Sequence, residues 1–224
     1  DVQEVPEPPS RWNYRVPVGF SDNYSTNNTK SVIEAKLNVV SKGNVDIAWL
    51  ANDDPDIYPK IKYYNWDAVR DVNEMGYYSV VQYNARTIAG LERNSDNLVC
   101  IGYQSNSDYE IYEKVGLGTM WATSDTGYQP MYTEASVSYS INPMTNKGEF
   151  IYADFSSNEL HYLYQNQVGW TSNFVSAIYS KLLAFPVIEH DLSGNAFVAA
   201  SIDIFNSCAE IIIYLQKNCR CGFD

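Results

Sequence analysis

The chain has 224 residues, 45% of them hydrophobic and 19% charged, and a formal net charge of −12 at pH 7. Such a length and composition suit a globular chain with one large core. An acidic surface repels polyanions, which disfavours nucleic acid and anionic membranes as principal partners.

Residues 1–20 carry Pro6, Pro8, Pro9 and Pro17, which rule out a regular helix. An extended N-terminal arm is expected there, with Trp12, Tyr14 and Phe20 as anchors for assembly. Residues 21–224 read as a single domain without internal repeats or a linker. The loop at 21–30 holds two sequons, at Asn23 and Asn27, which matter only in a secreted chain. No leader peptide is visible. Ile33, Ala35, Leu37 and Val39 alternate, and 45–50 follows across Lys42-Gly43-Asn44, so 31–50 is predicted to be a β-hairpin. The acidic loop at 52–56 lacks an EF-hand pattern and reads as a solvated turn rather than a cation site. Strands are expected at 57–65, 77–83, 98–103 and 109–115, with a short helix over 67–74. Residues 131–141 and 149–155 form a second predicted hairpin with Asn146-Lys147-Gly148 at its tip, and 158–168 extends the sheet.

Two helices are predicted towards the C-terminus. The first, 173–185, stops before Pro186. The second is the long apolar stretch 195–218, with Asn195 as its N-cap. Phe197, Ser201, Ile204, Cys208, Ile211 and Leu215 recur at helical spacing, and so do Val198, Ile202, Phe205, Ala209 and Ile212. Two apolar stripes predict a helix buried nearly all round. Asp203 and Glu210 argue against a membrane span, at about 3 kcal/mol each in lipid. The β-branched content of the stretch leaves a buried strand pair as the alternative. The expected fold class is α+β.

Chemistry is sparse. Cys100, Cys208, Cys219 and Cys221 include no CxxC pair and no disulfide framework, which favours a reducing compartment. There is no phosphate loop and no GxSxG elbow. His161 sits among tyrosines, and His190 lies in Glu189-His190-Asp191, a run that could hold a metal or orient a base if its members converged. Neighbours on a loop rarely do. The 19 tyrosines are the most distinctive feature. They suit binding interfaces, because Tyr combines a large apolar face with a hydrogen-bonding tip.

Several segments, in the same order along the chain, resemble the polyhedrins of cypoviruses: Asn23-Tyr24-Ser25-Thr26-Asn27-Asn28, Gly76 to Gln82, Glu134-Ala135-Ser136-Val137-Ser138-Tyr139 with Gly148-Glu149-Phe150-Ile151, and Asp203-Ile204-Phe205-Asn206-Ser207-Cys208. The resemblance implies a layered antiparallel β-sandwich, with the long buried C-terminal helix and the shorter helices. It also implies a non-enzymatic matrix protein that forms homotrimers, packs them into a crystal lattice and embeds virus particles in occlusion bodies. These lie in the cytoplasm of the infected insect host cell. Nucleotides accompany some members of the family, but no residue here is assignable to one, and no cofactor or metal is expected. The Pro-rich arm departs from the N-terminal helix usual in that family. Alkaline dissolution of the assembly is expected above about pH 10, where Tyr and Lys titrate. The alternative is a secreted carbohydrate- or ligand-binding β-sandwich domain, suggested by the sequons and the aromatic residues.

Overall fold

A computed structural model describes residues 31–41, 44–52, 59–67, 79–117, 120–130, 137–154, 157, 159–177, 182–204 and 208–216. The arm with Trp12, Tyr14 and Phe20, the sequons, the acidic loop from 53 and the predicted helix from 68 lie outside them.

Among the described residues there is no helix. Strands β1 (Ser31–Ser41), β2 (Asn44–Asn52), β3 (Lys60–Asp67) and β4 (Ser79–Tyr83) form one antiparallel meander. Strands β5 (Ala85–Arg93), β6 (Val99–Ser105), β7 (Ile111–Leu117) and β8 (Met120–Asp125) form a second. A third comprises β9 (Val137–Asn142), β10 (Lys147–Asp154), β11 (Glu159–Gln165) and β12 (Trp170–Ala177). The fourth has three strands, β13 (Leu182–His190), β14 (Ala196–Ile204) and β15 (Cys208–Gln216). The first strand of each sheet packs on the first strand of the next, β1 on β5, β5 on β9 and β9 on β13. Consecutive meanders with their first strands gathered inward are blades of a β-propeller-like fold. The repeat lies in the topology, and the sequence shows none.

The core is divided among the three blade interfaces. Ala48, Leu50, Ile61 and Tyr63 of the first blade meet Ile88, Leu91, Ile101 and Tyr103 of the second. Cys100 and Ile111 of the second meet Tyr139, Phe150 and Leu163 of the third. Ile151, Leu160 and Tyr162 of the third meet Ile188, Val198 and Ala200 of the fourth. Each interface also buries one carboxylate under a tyrosine hydroxyl. Tyr63 donates to Asp46 at 2.6 Å, Tyr139 donates to Glu113 at 2.7 Å, and Tyr162 donates to Glu149. Tyr139 ties the third blade to the second directly, whereas Tyr63 and Tyr162 bind a carboxylate of their own blade that Arg93 or His190 of the next blade also contacts. Burial is the main reason that the three tyrosine hydroxyls titrate well above the ordinary tyrosine range.

Tyr139 occupies a socket made by glycines. A Cβ on Gly102 would fall 2.5 Å from Tyr139 Cγ and 2.6 Å from Phe150 Cε1, and Gly90 and Gly148 press on Tyr139 as closely. Gly102→Ala is therefore expected to cost about 2–3 kcal/mol by overpacking, read as a lower urea midpoint at unchanged m-value. A change below about 0.5 kcal/mol would show that the socket is slack.

The α+β sandwich expectation is overturned: the fold is all-β. The predicted helix at 195–218 is the hairpin β14–β15, in register from Ala196↔Gln216 to Ile204↔Cys208. The stretch is apolar on every side, so its 3.6-residue and two-residue periods coincide. Its β-branched residues and the Asn206-Ser207 interruption favour two strands of nine residues over one helix. The strand-pair alternative is the one adopted. The predicted helix at 173–185 divides between β12 and β13, with a register shift between Ala184 and Val187 around Pro186. The predicted hairpin at 31–50 is present as β1–β2, and the one at 131–155 is present as β9–β10 over 137–154, with 131–136 and 155 outside the described residues. Asn146 takes the left-handed conformation at the second tip, with φ of 57°, as Asn can in tight turns.

Candidate functional site

The four inward strands line a channel of about 810 Å³. Its wall includes Glu34 and Lys36 from β1, Glu92 and Arg93 from β5, Ser138 from β9, and Glu189 from β13. Four blades thus contribute to one concavity, in which side chains distant in sequence converge.

Glu34 fixes the first blade to the second. Its Oε2 accepts from Thr87 Oγ1 at 2.8 Å and from the backbone N–H of Ile88 at 2.9 Å. That N–H is available because β5 shifts register between Ile88 and Gly90, and a bulge takes a donor out of the ladder. Lys36 Nζ lies 3.1 Å from the other carboxylate oxygen. Arg93 is drawn to Asp46 by two hydrogen bonds, Nε to Oδ2 at 2.6 Å and Nη2 to Oδ1 at 2.7 Å. Asp46 is fully buried and also accepts from Asn65 Nδ2 at 2.7 Å. This fork holds the end of β5, and hence the neighbouring Glu92, in a fixed place.

Glu92 and Glu189 reach the channel from β5 and β13 and feel each other's charge. The carboxyl of Glu92 is pushed above the usual carboxylate range, first by burial and further by the charge of Glu189. The backbone N–H of Ile141, which donates to Glu92 Oε2 at 3.2 Å, opposes that shift, as do the neighbouring Ser140 and His190 side chains. Glu189 itself is exposed. A carboxyl pushed upward by its surroundings near another that meets solvent is an arrangement that acid–base chemistry can use.

Behind this wall lies a buried network. His190 Nε2 is 2.6 Å from Glu149 Oε2, and its Nδ1 is 3.1 Å from Ser140 Oγ. The His190 side chain is 1% exposed. Asn142 Nδ2 and the Tyr162 hydroxyl complete the shell of Glu149. The three members of Glu189-His190-Asp191 do not meet. Alternation along β13 sends Glu189 to the channel and His190 into the interior, while Asp191 binds the N–H groups of Ser193 and Asn195 in the following turn. His161 lies elsewhere, stacked on Tyr152 and 3.0 Å from Glu159. Cys100 is buried and its thiol is pushed up to about 12 by that burial, which makes it a poor nucleophile. No group of three His, Cys, Asp or Glu side chains among the described residues is placed to hold a metal ion.

Sequence reasoning missed Glu34, Glu92 and Glu149 as site residues, and missed β5 altogether. In Ala85-Arg86-Thr87-Ile88-Ala89-Gly90-Leu91-Glu92-Arg93 the alternation is broken by two register shifts and by Gly90. The usable signal was the pair Glu92-Arg93 at the end of an otherwise apolar run.

Neither a protein family nor a curated protein matches the chain. Among solved structures, it resembles an α-L-arabinanase of Penicillium chrysogenum, complexed with arabinobiose, with a TM-score of 0.53 and 13% identity. The match covers 82% of this chain and 62% of that one, so the chain spans less than two thirds of the arabinanase's length. At such identity the likeness concerns the fold alone. It does overturn the expectation of a purely structural, non-enzymatic chain, since the fold is shared with a glycan-degrading enzyme.

Proposed function

We propose that the chain is a carbohydrate-active β-propeller-type protein that takes an oligosaccharide into its central channel and cleaves a glycosidic bond there. The observation that carries this reading is the pair Glu92 and Glu189 on two strands that line one channel, the first half-buried with its carboxyl pushed above the usual range, the second exposed. Glycoside hydrolysis needs two such carboxyl groups, one to protonate the leaving oxygen and one to assist attack from the other side. Glu92 is assigned as the acid and Glu189 as the base or nucleophile. The arabinanase likeness supports a pentose-containing polymer as the first substrate to test. It also favours the carbohydrate-binding alternative drawn from the sequence. Self-assembly of the polyhedrin kind rests on the resemblance of segments alone, and crystals inside expressing cells are its test.

The experiment is release of reducing ends from a panel of arabinans, xylans and glucans, together with calorimetric binding of their oligosaccharides. Glu92→Gln is expected to lower turnover roughly 100-fold or more while leaving binding within a few-fold. Failure of every glycan in the panel to bind at millimolar concentration would overturn the reading.

A further inference from the structure

Two cationic side chains line the channel, Lys36 and Arg93, and each is held by a carboxylate. Arg93 lies in the fork of Asp46, with its side chain 11% exposed. Lys36 Nζ lies 3.1 Å from Glu34 Oε1, and the Lys36 side chain is 38% exposed. Among the described residues, no lysine or arginine pairs with Glu92 or Glu189. The unbalanced charge on the channel wall is therefore acidic.

An anion entering the channel would find Lys36 the more accessible of the two cations, but Glu34 already occupies it. The carboxylate cannot be pushed aside cheaply. Its Oε2 accepts from the Thr87 hydroxyl and from the Ile88 N–H, so displacing it would leave two donors of β5 without an acceptor. A second carboxylate brought to Lys36 would lie against one that is fixed in place, and like charges repel more strongly in a protein wall than in open water. An uncharged sugar escapes that penalty. An ammonium carries three N–H donors, so Lys36 keeps donors for sugar hydroxyls while it is bound to Glu34. Leu37, Val39 and Val187, all exposed on the channel wall, offer apolar surface for the C–H faces of such a sugar.

We propose that Glu34 masks Lys36 and so makes the channel selective for uncharged oligosaccharides, turning away glycans that carry carboxylate or sulfate groups. The ligand class rests on the carbohydrate reading above, whereas the masking rests on the ion pair and its anchor. Glu34 determines specificity through Lys36, as a positioning residue.

The test is calorimetric titration of the full chain with two matched pairs of probes. One pair is arabinotriose and its reducing-end aldonate, and the other is xylotriose with and without a glucuronate branch. NMR of the Lys36 side chain during titration with inorganic sulfate supplies a readout without glycan. The unaltered chain is expected to bind a neutral probe at least about 10-fold tighter than its charged counterpart, and its Lys36 signal should not respond to sulfate. Glu34→Gln retains a side-chain oxygen to accept from Thr87 and Ile88, so the anchor survives while the mask is removed. This variant should bind the charged probe at least about 10-fold tighter than the unaltered chain does, the worth of one hydrogen bond between charged groups. Its affinity for the neutral probe should stay within a few-fold, and sulfate should now shift the Lys36 signal. Adding Lys36→Met should abolish the gain, which a general loosening of the first blade would not. Where Glu34→Gln folds poorly, Lys36→Met decides alone: it leaves Glu34 unmatched, and the preference for neutral probes should widen. Equal affinity of the unaltered chain for neutral and charged probes would overturn the proposal. So would a Glu34→Gln chain unchanged towards both the charged probe and sulfate. If no probe binds while sulfate shifts Lys36 only in Glu34→Gln, the masking stands and the carbohydrate reading falls. Glycan binding without regard to charge would do the reverse.

Discussion

Arg93→Met is expected to destabilise the chain by about 3–5 kcal/mol, the usual cost of removing one partner from a buried ion pair. Asp46 has no exposure to solvent, and Arg93 provides two of its hydrogen bonds. With the guanidinium gone, Tyr63 and Asn65 remain as neutral donors to an uncompensated charge. A domain of this kind has about 5–15 kcal/mol in total, so the variant would sit close to its unfolding threshold. The companion change Asp46→Asn removes the charge itself, and the double variant is expected to recover at least half of the loss. Urea midpoints of the two single variants and the double one form a thermodynamic cycle that isolates the pair. A loss under about 1 kcal/mol in Arg93→Met would mean that the pair is no stronger than a surface salt bridge. The same variant is expected to disturb the channel, because Arg93 anchors the end of the strand that presents Glu92.

Alkaline unfolding is the second large effect. Tyr63, Tyr103, Tyr139 and Tyr162 are buried at the blade interfaces, and burial is the leading cause that raises the titration range of each. An unfolded tyrosine releases its proton near pH 10. The folded chain retains these protons beyond that point, so above about pH 10 the unfolded state binds fewer protons and stability falls with rising pH. Below the unfolded value the contribution is fully present. Each retained proton corresponds to about 1.4 kcal/mol per pH unit, and four together to roughly 5 kcal/mol per unit. The chain should therefore lose its strands cooperatively within about one to two pH units above pH 10. Tyrosinate absorbance and far-ultraviolet circular dichroism, recorded together, check this. The buried tyrosines should ionise in the same transition that melts the strands, and Tyr103→Phe should make that transition shallower by one proton. Ionisation of all tyrosines with the strands intact would contradict the account. This transition belongs to single folded chains. It is distinct from the dissolution of an assembly that the tyrosine content suggests by itself.

Local patterning was enough to place much of the β-structure. Residues 31–50, 98–103 and 149–155 alternate or are strongly β-forming, and strands occupy those places. The acidic net charge and the absence of nucleotide-binding motifs were also plain from composition. Periodicity failed at 195–218 because a stretch with apolar residues on every side satisfies the helical and the strand template together, and only pairing partners choose between them. In the structure β14 finds both, β13 on one edge and β15 on the other. Strand β5 was hidden because its bulges spoil the alternation that would reveal it, and those bulges are what free the Ile88 N–H for Glu34.

The site belongs to the tertiary level for a different reason. Glu92 and Glu189 are 97 positions apart in the chain, and Ser140, Glu149 and His190 are contributed by three further strand positions. Sequence could mark His190 as a titratable residue between two acids, but those neighbours diverge on alternate faces of β13. Its actual partners are supplied by β9 and β10. What the sequence by itself determined was the supply of strands, the acidic surface and the abundance of tyrosine. Which carboxyls share a channel, and which of them burial pushes above the usual range, was decided only when the blades packed, because desolvation and charge proximity depend on distances between residues that no local pattern encodes.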